Sequence, residues 1–424
     1  MTAEDFLTKS YVPSPGESCD ARKRRAIAFA LSLAIGSPVE AAEWYAEPSV
    51  QSGVEYDDNR RLNVQEDEAE LSERFIPQLL LGLRTPALDL WTAASAEVIH
   101  SSDDDLNRTN VFARLFGNYL TQRSRWDIDA NWRRDTTLTT LIVDPLAAPA
   151  DEVPEPDAVV DPEIGLVRAD VERNRIQFRP TYAYQLTELT DLELGYRFFN
   201  TFYEENVQGT RLVDRTSHRV LGGTSYKLTP IDNLIGRGDY GRFDSDETSF
   251  DQYGAWAGMN HSFSETFFAE LLVGFKRTEA TGDDEDAGSD TSFVVNATAE
   301  KRFETGRALA IFQRDVDQDA FGSARRIEQL DVRYDWEIVP ERWFFTLQSQ
   351  VFRTRSLDLG ETVEEDRTYA QVQPRIRWQV TRQLYLDFSY RYRFIDRENA
   401  PESADANAAL IGLQYVFDRL VMSR

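Results

Sequence analysis

The chain is nearly without the side chains from which most reactive centres are built. One cysteine, Cys19, and three histidines, His100, His218 and His261, occur in 424 residues. No two of the histidines stand at a ligand spacing and no cysteine joins them, so no metal site and no cofactor are expected. The run His100-Ser101-Ser102-Asp103 sets a hydroxyl beside an imidazole, but sequence neighbours rarely face one another as a triad requires. No catalytic residue is assigned, and no enzymatic activity is expected. The carboxylate runs at 103–105 and 283–286 match no calcium-loop spacing and read as solvated loop charge. Long apolar runs are missing too. Mean hydropathy is −0.49, and beyond the N-terminal region nothing approaches the roughly 18 apolar residues of a helical span. That absence leaves strands that cross a bilayer open, because only alternate residues of such a strand meet lipid. Finally, there is no cationic excess. A formal charge of −26 argues against a nucleic-acid partner.

What the chain does have begins with a basic cluster, 21–25, followed by the apolar run 26–35 and the break Gly36-Ser37-Pro38. Val39 and Ala41 then supply small residues at −3 and −1, the layout of a secretory signal peptide over 1–41. The mature chain, 42–424, would hold no cysteine, in keeping with an oxidising compartment. Aromatic residues make up 12%, including 25 Phe and 17 Tyr, a composition suited to strands and to interfacial girdles.

The stretch 369–394 shows the organising pattern. Val372, Pro374, Ile376 and Trp378 alternate with Gln371, Gln373, Arg375 and Arg377. After Thr381-Arg382 the alternation resumes, with Leu386, Phe388, Tyr390, Tyr392 and Phe394 set against Asp387, Ser389, Arg391 and Arg393. Strict period-2 patterning marks a strand with one apolar and one polar face. Soluble strands average about five or six residues, whereas tilted membrane strands need about nine to eleven. Length therefore favours a hairpin with lipid on one side and a polar interior on the other.

The same unit recurs along the chain. Short turns are predicted at Thr85-Pro86, Thr121 to Ser124, Thr187-Glu188, Thr229 to Asp232, Ser264-Glu265, Glu304-Thr305, Pro340-Glu341 and Thr381-Arg382. Polar loops alternate with them near 57–70, 99–109, 138–173, 204–213, 244–249, 279–290, 315–325, 356–367 and 396–405. Eight turns and nine loops connect 18 strands, which is the pattern of an all-β, antiparallel, transmembrane barrel with short periplasmic turns and long acidic outer loops. An even count closes the sheet and leaves no edge in lipid. The weakest segments are 233–243, diluted by Gly236 and Gly238, and the short 306–314; losing one hairpin gives the alternative of 16 strands. The Pro-rich acidic stretch 138–173 reads as a long outer loop rather than a second domain.

Strand parity also selects inward residues. It places Arg133, Arg175, Arg179, Arg197, Arg215 and Arg219 inside. Later in the chain it adds Arg333, Arg375, Arg377, Arg391 and Arg393, among carboxylates such as Asp129, Asp335 and Asp387. Rings of charged side chains set pore selectivity, so these arginines are candidates to line the path of an anionic solute; bracing of the wall by Arg–carboxylate pairs is the competing use. Arg375, Arg377, Arg391 and Arg393 are expected to share one wall patch, with Asp387 facing water.

The final strand reads Gly412-Leu413-Gln414-Tyr415-Val416-Phe417. Gly412, Tyr415 and Phe417 resemble the C-terminal signal read by the barrel-assembly machinery of Gram-negative bacteria, with the departure that seven residues follow Phe417. The whole mature chain is similar to the outer-membrane β-barrel porins found beside exopolysaccharide and capsule export genes. That resemblance implies a Gram-negative outer-membrane location, contact with lipid and lipopolysaccharide, and polysaccharide-export components as partners. It implies polymer export or its support; joined to the inward arginines, the expected cargo is anionic exopolysaccharide or other anionic solutes. A structural or assembly component with a plugged interior is the alternative.

Overall fold

The computed structural model describes residues 42–64, 69–138, 170–204, 212–246, 248–281, 288–357, 359, 366–398 and 400–423. The proposed signal segment 1–41, most of 138–173 and the carboxylate run 283–286 lie outside these residues. Contacts group Glu43–Met422 as one unit, the barrel; of the other unit only Ala42 and Ser423 are described.

Eighteen long strands close on themselves. They are β1 (Glu43–Asp57), β2 (Glu70–Arg84), β3 (Leu88–Ser101), β4 (Arg108–Leu120), β5 (Ser124–Thr136) and β6 (Glu172–Gln185). Then come β7 (Thr190–Tyr203), β8 (Arg215–Lys227), β9 (Asp232–Ser245), β10 (Ser249–Ser264), β11 (Phe267–Ala280) and β12 (Ser289–Phe303). The last six are β13 (Gly306–Gln318), β14 (Ala324–Val339), β15 (Trp343–Ser356), β16 (Arg367–Gln379), β17 (Leu384–Arg397) and β18 (Ala404–Val416). Each pairs antiparallel with the next, and β18 returns to β1 in register from Ser49↔Val416 to Asp57↔Ala408. Closure satisfies every strand's backbone groups, as a bilayer interior demands.

The eight short turns fall where the sequence placed them. Both weak segments are full strands, β9 with 14 residues and β13 with 13, so the 16-strand alternative is wrong. Several loop boundaries need correction as well. The ladder continues through most of 244–249 and 315–325, leaving only 246–248 and 319–323 outside strands. Likewise β6 begins at Glu172, so Arg173 belongs to the wall rather than to the 138–173 loop. A short strand that the sequence did not announce, β19 (Leu420–Ser423), pairs with β1 beyond Phe417. There Arg419 bonds Glu47 at 3.0 Å and lies 3.7 Å from the Tyr45 ring centre.

The burial pattern is inverted relative to a soluble protein. On β17, Phe388 and Tyr390 are 41% and 46% exposed, while Asp387 and Arg393 are 1% exposed. The same alternation exposes Leu194, Leu271, Phe275 and Ile411 around the outer face. An apolar surface this continuous is stable only against another apolar phase. Outward aromatic pairs mark its lower margin at the short-turn end: Trp343 stacks on Trp378 at 5.3 Å and Trp126 lies 4.3 Å from Tyr182. At the long-loop end Tyr240 and Tyr253 pair at 5.3 Å.

Candidate functional site: cation pairs on the inner wall

Asp129, Asp135, Asp315, Asp335 and Asp387 point inward, and each is held by two cations. Asp129 accepts from Arg114 of β4 at 3.0 Å and from Arg179 of β6 at 2.8 Å. Asp135 binds Arg173 at 2.9 Å and also Arg175. Asp335 binds Arg333 at 2.8 Å and lies 3.7 Å from Arg307. Asp315 meets Lys276 of β11 and lies 3.9 Å from Arg219 of β8. Asp387 accepts from Arg375 at 2.8 Å and from Arg377 at 2.9 Å. A carboxylate has about four acceptor positions, enough for two guanidinium groups. Each trio therefore keeps a formal charge of +1 while its geometry is fixed by charge-assisted bonds.

The trios differ in how far they meet the interior space. Arg173 and Asp135 have wholly buried side chains. On the wall built by β13–β17, by contrast, the side chains of Arg375, Arg377 and Arg333 remain 20%, 31% and 29% exposed. Within this row four arginines, Arg307, Arg333, Arg375 and Arg377, pair with two aspartates, Asp335 and Asp387, while Asp331, two residues from Arg333 along β14 on the same face, is bonded by Gln329 instead. The register explains the cluster: Arg307 pairs with Asp335, Asp335 with Thr346, and Thr346 with Arg375, so one row crosses four strands. Thr346 Oγ1 donates to Asp335 at 3.0 Å and ties the row together.

The barrel's closing seam uses arginine differently. Arg393 bonds Asp57 at 2.6 Å and Arg391 bonds Glu55 at 3.0 Å, although β18 lies between β17 and β1. The crossing is open because the inward residues of β18 at this level are Ala404, Ala406 and Ala408, all buried. Arg74 of β2 reaches the same Glu55 at 2.7 Å and Glu97 of β3 at 3.4 Å, which carries the chain of ion pairs across the seam. Nearer the short turns the seam is closed by two facing glycines, Gly53 and Gly412. A Cβ on Gly53 would come within 2.9 Å of the Ile411 carbonyl oxygen, so close backbone approach requires glycine there.

At the long-loop end two segments fold inward. The first is 58–62, whose Leu62, at φ 52, packs against Phe352, Tyr369 and Ile395. A bulky residue in the left-handed region costs energy and persists only when its surroundings hold it. The second is the tip of the β13–β14 hairpin. β12 and β13 pair only from Val295↔Arg314 downward, which frees the tip to lean across the interior. Val316 and Ala324 pack on Phe243 and Phe250, and Ala320 packs on Val171 and Leu212. Gly322, at φ +81, makes the turn, and Thr248 Oγ1 donates to its carbonyl at 2.6 Å.

All eleven arginines selected by parity lie on the inward face, but they do not form one group. Arg375 and Arg377 sit on Asp387 whereas Arg391 and Arg393 sit on Glu55 and Asp57, so the single patch expected for these four is two. Asp387, expected to face water, is buried beneath its two arginines. Arg215 packs over the Phe199 ring at 5.6 Å, and Arg197 stands opposite Arg219 in the β7–β8 register. Arg114, Arg173, Arg307 and Lys276 were missed. Parity carried two residues beyond Arg175 would have found Arg173, and parity applied to β11 would have found Lys276; Arg307 fell in the segment read as weakest. His100 faces outward while Ser101 faces inward and donates to Glu70 at 2.7 Å, so the two do not meet. Tyr415 and Phe417 make an edge-to-face pair at 4.8 Å.

Closed strands, an apolar outer belt and a charged inner wall define a porin-like transmembrane β-barrel. No protein-family model and no curated protein matches the chain. Among solved structures, it is similar to the crystal structure of Acinetobacter baumannii OccAB4, at 10% identity over 91% of this chain and 100% of that one, with a TM-score of 0.47. It is similar also to Pseudomonas aeruginosa OccK2 (OpdF), solved in complex with glucuronate, at 11% identity over 88% and 98% with a TM-score of 0.46. Pseudomonas aeruginosa OccK5 (OpdH) matches at 15% identity over 88% and 98%, with a TM-score of 0.44.

Proposed function

We propose that the barrel is a conduit for anionic solutes in the outer membrane of a Gram-negative bacterium. The observation that carries this reading is the β13–β17 wall, where, among the described residues, Arg307, Arg333, Arg375 and Arg377 form ion pairs with Asp335 and Asp387 alone. A partly exposed cluster with surplus cations attracts carboxylates, and Arg grips them through two parallel bonds. The wall's aspartates hold the guanidinium groups in place before a solute arrives, which lowers the ordering cost of binding. In this reading the long loops face outward, and Gly412, Tyr415 and Phe417 serve the assembly machinery. Carboxylated exopolysaccharide is the polymeric version of the same cargo, and export components would then be its partners.

The test is uptake into proteoliposomes. Sugar acids should enter faster than neutral sugars of equal size, and Arg375→Gln/Arg377→Gln should remove the difference. Equal rates for both solutes in the wild type would defeat the reading. If only long uronate chains are selected, the polymer is the cargo. A second reading, a structural component with a plugged interior, draws on the inward 58–62 segment and the β13–β14 tip; it expects no flux of any solute.

A further inference from the structure

The outer surface near the long loops carries arginines as well, and most are neutralised locally. Arg134 bonds Glu172 at 2.8 Å and Glu204 at 3.0 Å, Arg242 bonds Asp244 at 3.1 Å, and Arg277 bonds Glu279 at 2.6 Å. Two on β15 are not. Arg353 and Arg355 are exposed, on the outward parity of a strand whose intervening Thr354 is buried. Among the described residues they have neither an ion pair nor a hydrogen bond.

Their surroundings strengthen the contrast. Arg355 stands directly opposite Arg326 of β14, and Arg353 opposite Glu328. Glu328 is already engaged by Arg314 of β13 at 3.6 Å. Arg326 turns away toward β12, donating to Ser292 Oγ at 3.0 Å. The nearby Asp366 accepts from the Ser356 backbone N–H at 2.9 Å. Among the described residues, three outward cations, Arg314, Arg353 and Arg355, thus share one carboxylate, Glu328. Immediately below them the surface is apolar: Val351, Leu330 and Phe312 are 42%, 41% and 39% exposed. Arg353 is two residues from Val351, a step of about 7 Å along a strand. The cations therefore sit where acyl chains give way to head groups. Cations at that depth of a barrel cost little in themselves, but like charges placed side by side repel unless an anion joins them.

We propose that Arg353 and Arg355, flanked by Arg314, seat the phosphate group of a phosphorylated outer-leaflet lipid, with the acyl chains lying on Val351, Leu330 and Phe312. The inference rests on the membrane-spanning reading and not on the conduit. Guanidinium groups bind phosphate through paired, charge-assisted hydrogen bonds, and the apolar band directly beneath admits a ligand that has both a phosphate and hydrocarbon. Free phosphate satisfies only the first of these features.

The test uses the full barrel, folded as judged by its heat-dependent gel mobility. It is incubated with diphosphoryl lipid A in phosphatidylcholine vesicles, re-extracted, and weighed by native mass spectrometry. Wild type should retain lipid A, and Arg353→Gln/Arg355→Gln should retain at least about tenfold less. Arg242→Gln, at an internally neutralised site, should bind as wild type. Dephosphorylated lipid A should be lost from all three. Ion selectivity should be unchanged in the double variant, which separates this site from the conduit. If the double variant folds poorly, Arg355→Gln alone is expected to show the same loss in part. Full retention by a folded Gln variant, or equal retention of the dephosphorylated lipid, would overturn the proposal. So would binding of inorganic phosphate without lipid A.

Discussion

Arg391 and Arg393 on β17 and Arg375 and Arg377 on β16 are the same residue type, on the same inward parity, in adjacent strands. They nevertheless do different things, and the difference lies in the supply of carboxylates. At the seam, Glu55, Asp57, Glu70 and Glu97 gather around Arg60, Arg74, Arg391 and Arg393, and all but Arg74 are almost wholly buried. Charge is neutralised and the pairs hold β17, β1, β2 and β3 together. Lower on the wall, two arginines divide one aspartate and remain in view of the interior. Charge is left over, and it is positioned. An inward arginine thus braces or attracts according to how many carboxylates its neighbouring strands provide.

The seam and the wall can each be disrupted separately. The largest effect is expected at the seam. Arg393→Gln leaves Asp57 buried without its principal partner, and breaking a buried pair in this way costs about 3–5 kcal/mol. The urea midpoint of unfolding in lipid should fall markedly; an unchanged midpoint would mean that the seam does not depend on the pair. Asp387→Asn comes next. It withdraws the shared anion from Arg375 and Arg377, with a stability loss of about 1–3 kcal/mol, and should make the interior more anion-selective. If selectivity moved toward cations, the wall would not be the source of the field. The smallest stability change belongs to Arg375→Gln/Arg377→Gln, because Gln can still donate to Asp387 and loss of the two partly exposed guanidinium groups opens that carboxylate to the interior space.

Much of this was legible from alternation alone. Period-2 patterning gave the strands, turn spacing gave their number, and parity chose the side on which each arginine lies. What parity does not encode is the partner. Arg393 and Asp57 are 336 residues apart and become neighbours only when β18 closes on β1. That contact also depends on the alanines of β18, whose value as small residues is invisible until the side chains crossing over them are known. The inward lean of the β13–β14 tip was hidden for a related reason. Residues 315–325 are polar enough to read as a loop, yet Val316, Ala320 and Ala324 are buried against Phe243 of β9, Phe250 of β10 and the loop residues Val171 and Leu212. The eight short turns were the easiest to place, because turn chemistry is local and tertiary contacts rarely override it.

In a barrel that conducts anions as proposed, the β13–β17 wall, not the seam, sets the interior field. The most direct measurement compares reversal potentials in planar bilayers across a salt gradient near 0.1 M, where screening extends about 10 Å. Wild type should be anion-selective, and Arg375→Gln/Arg377→Gln should shift the potential toward cations in a barrel that remains fully folded. Arg391→Gln/Arg393→Gln, at the same loss of formal charge, should shift it much less. Equal shifts from the two pairs, or none from the first, would contradict the claim.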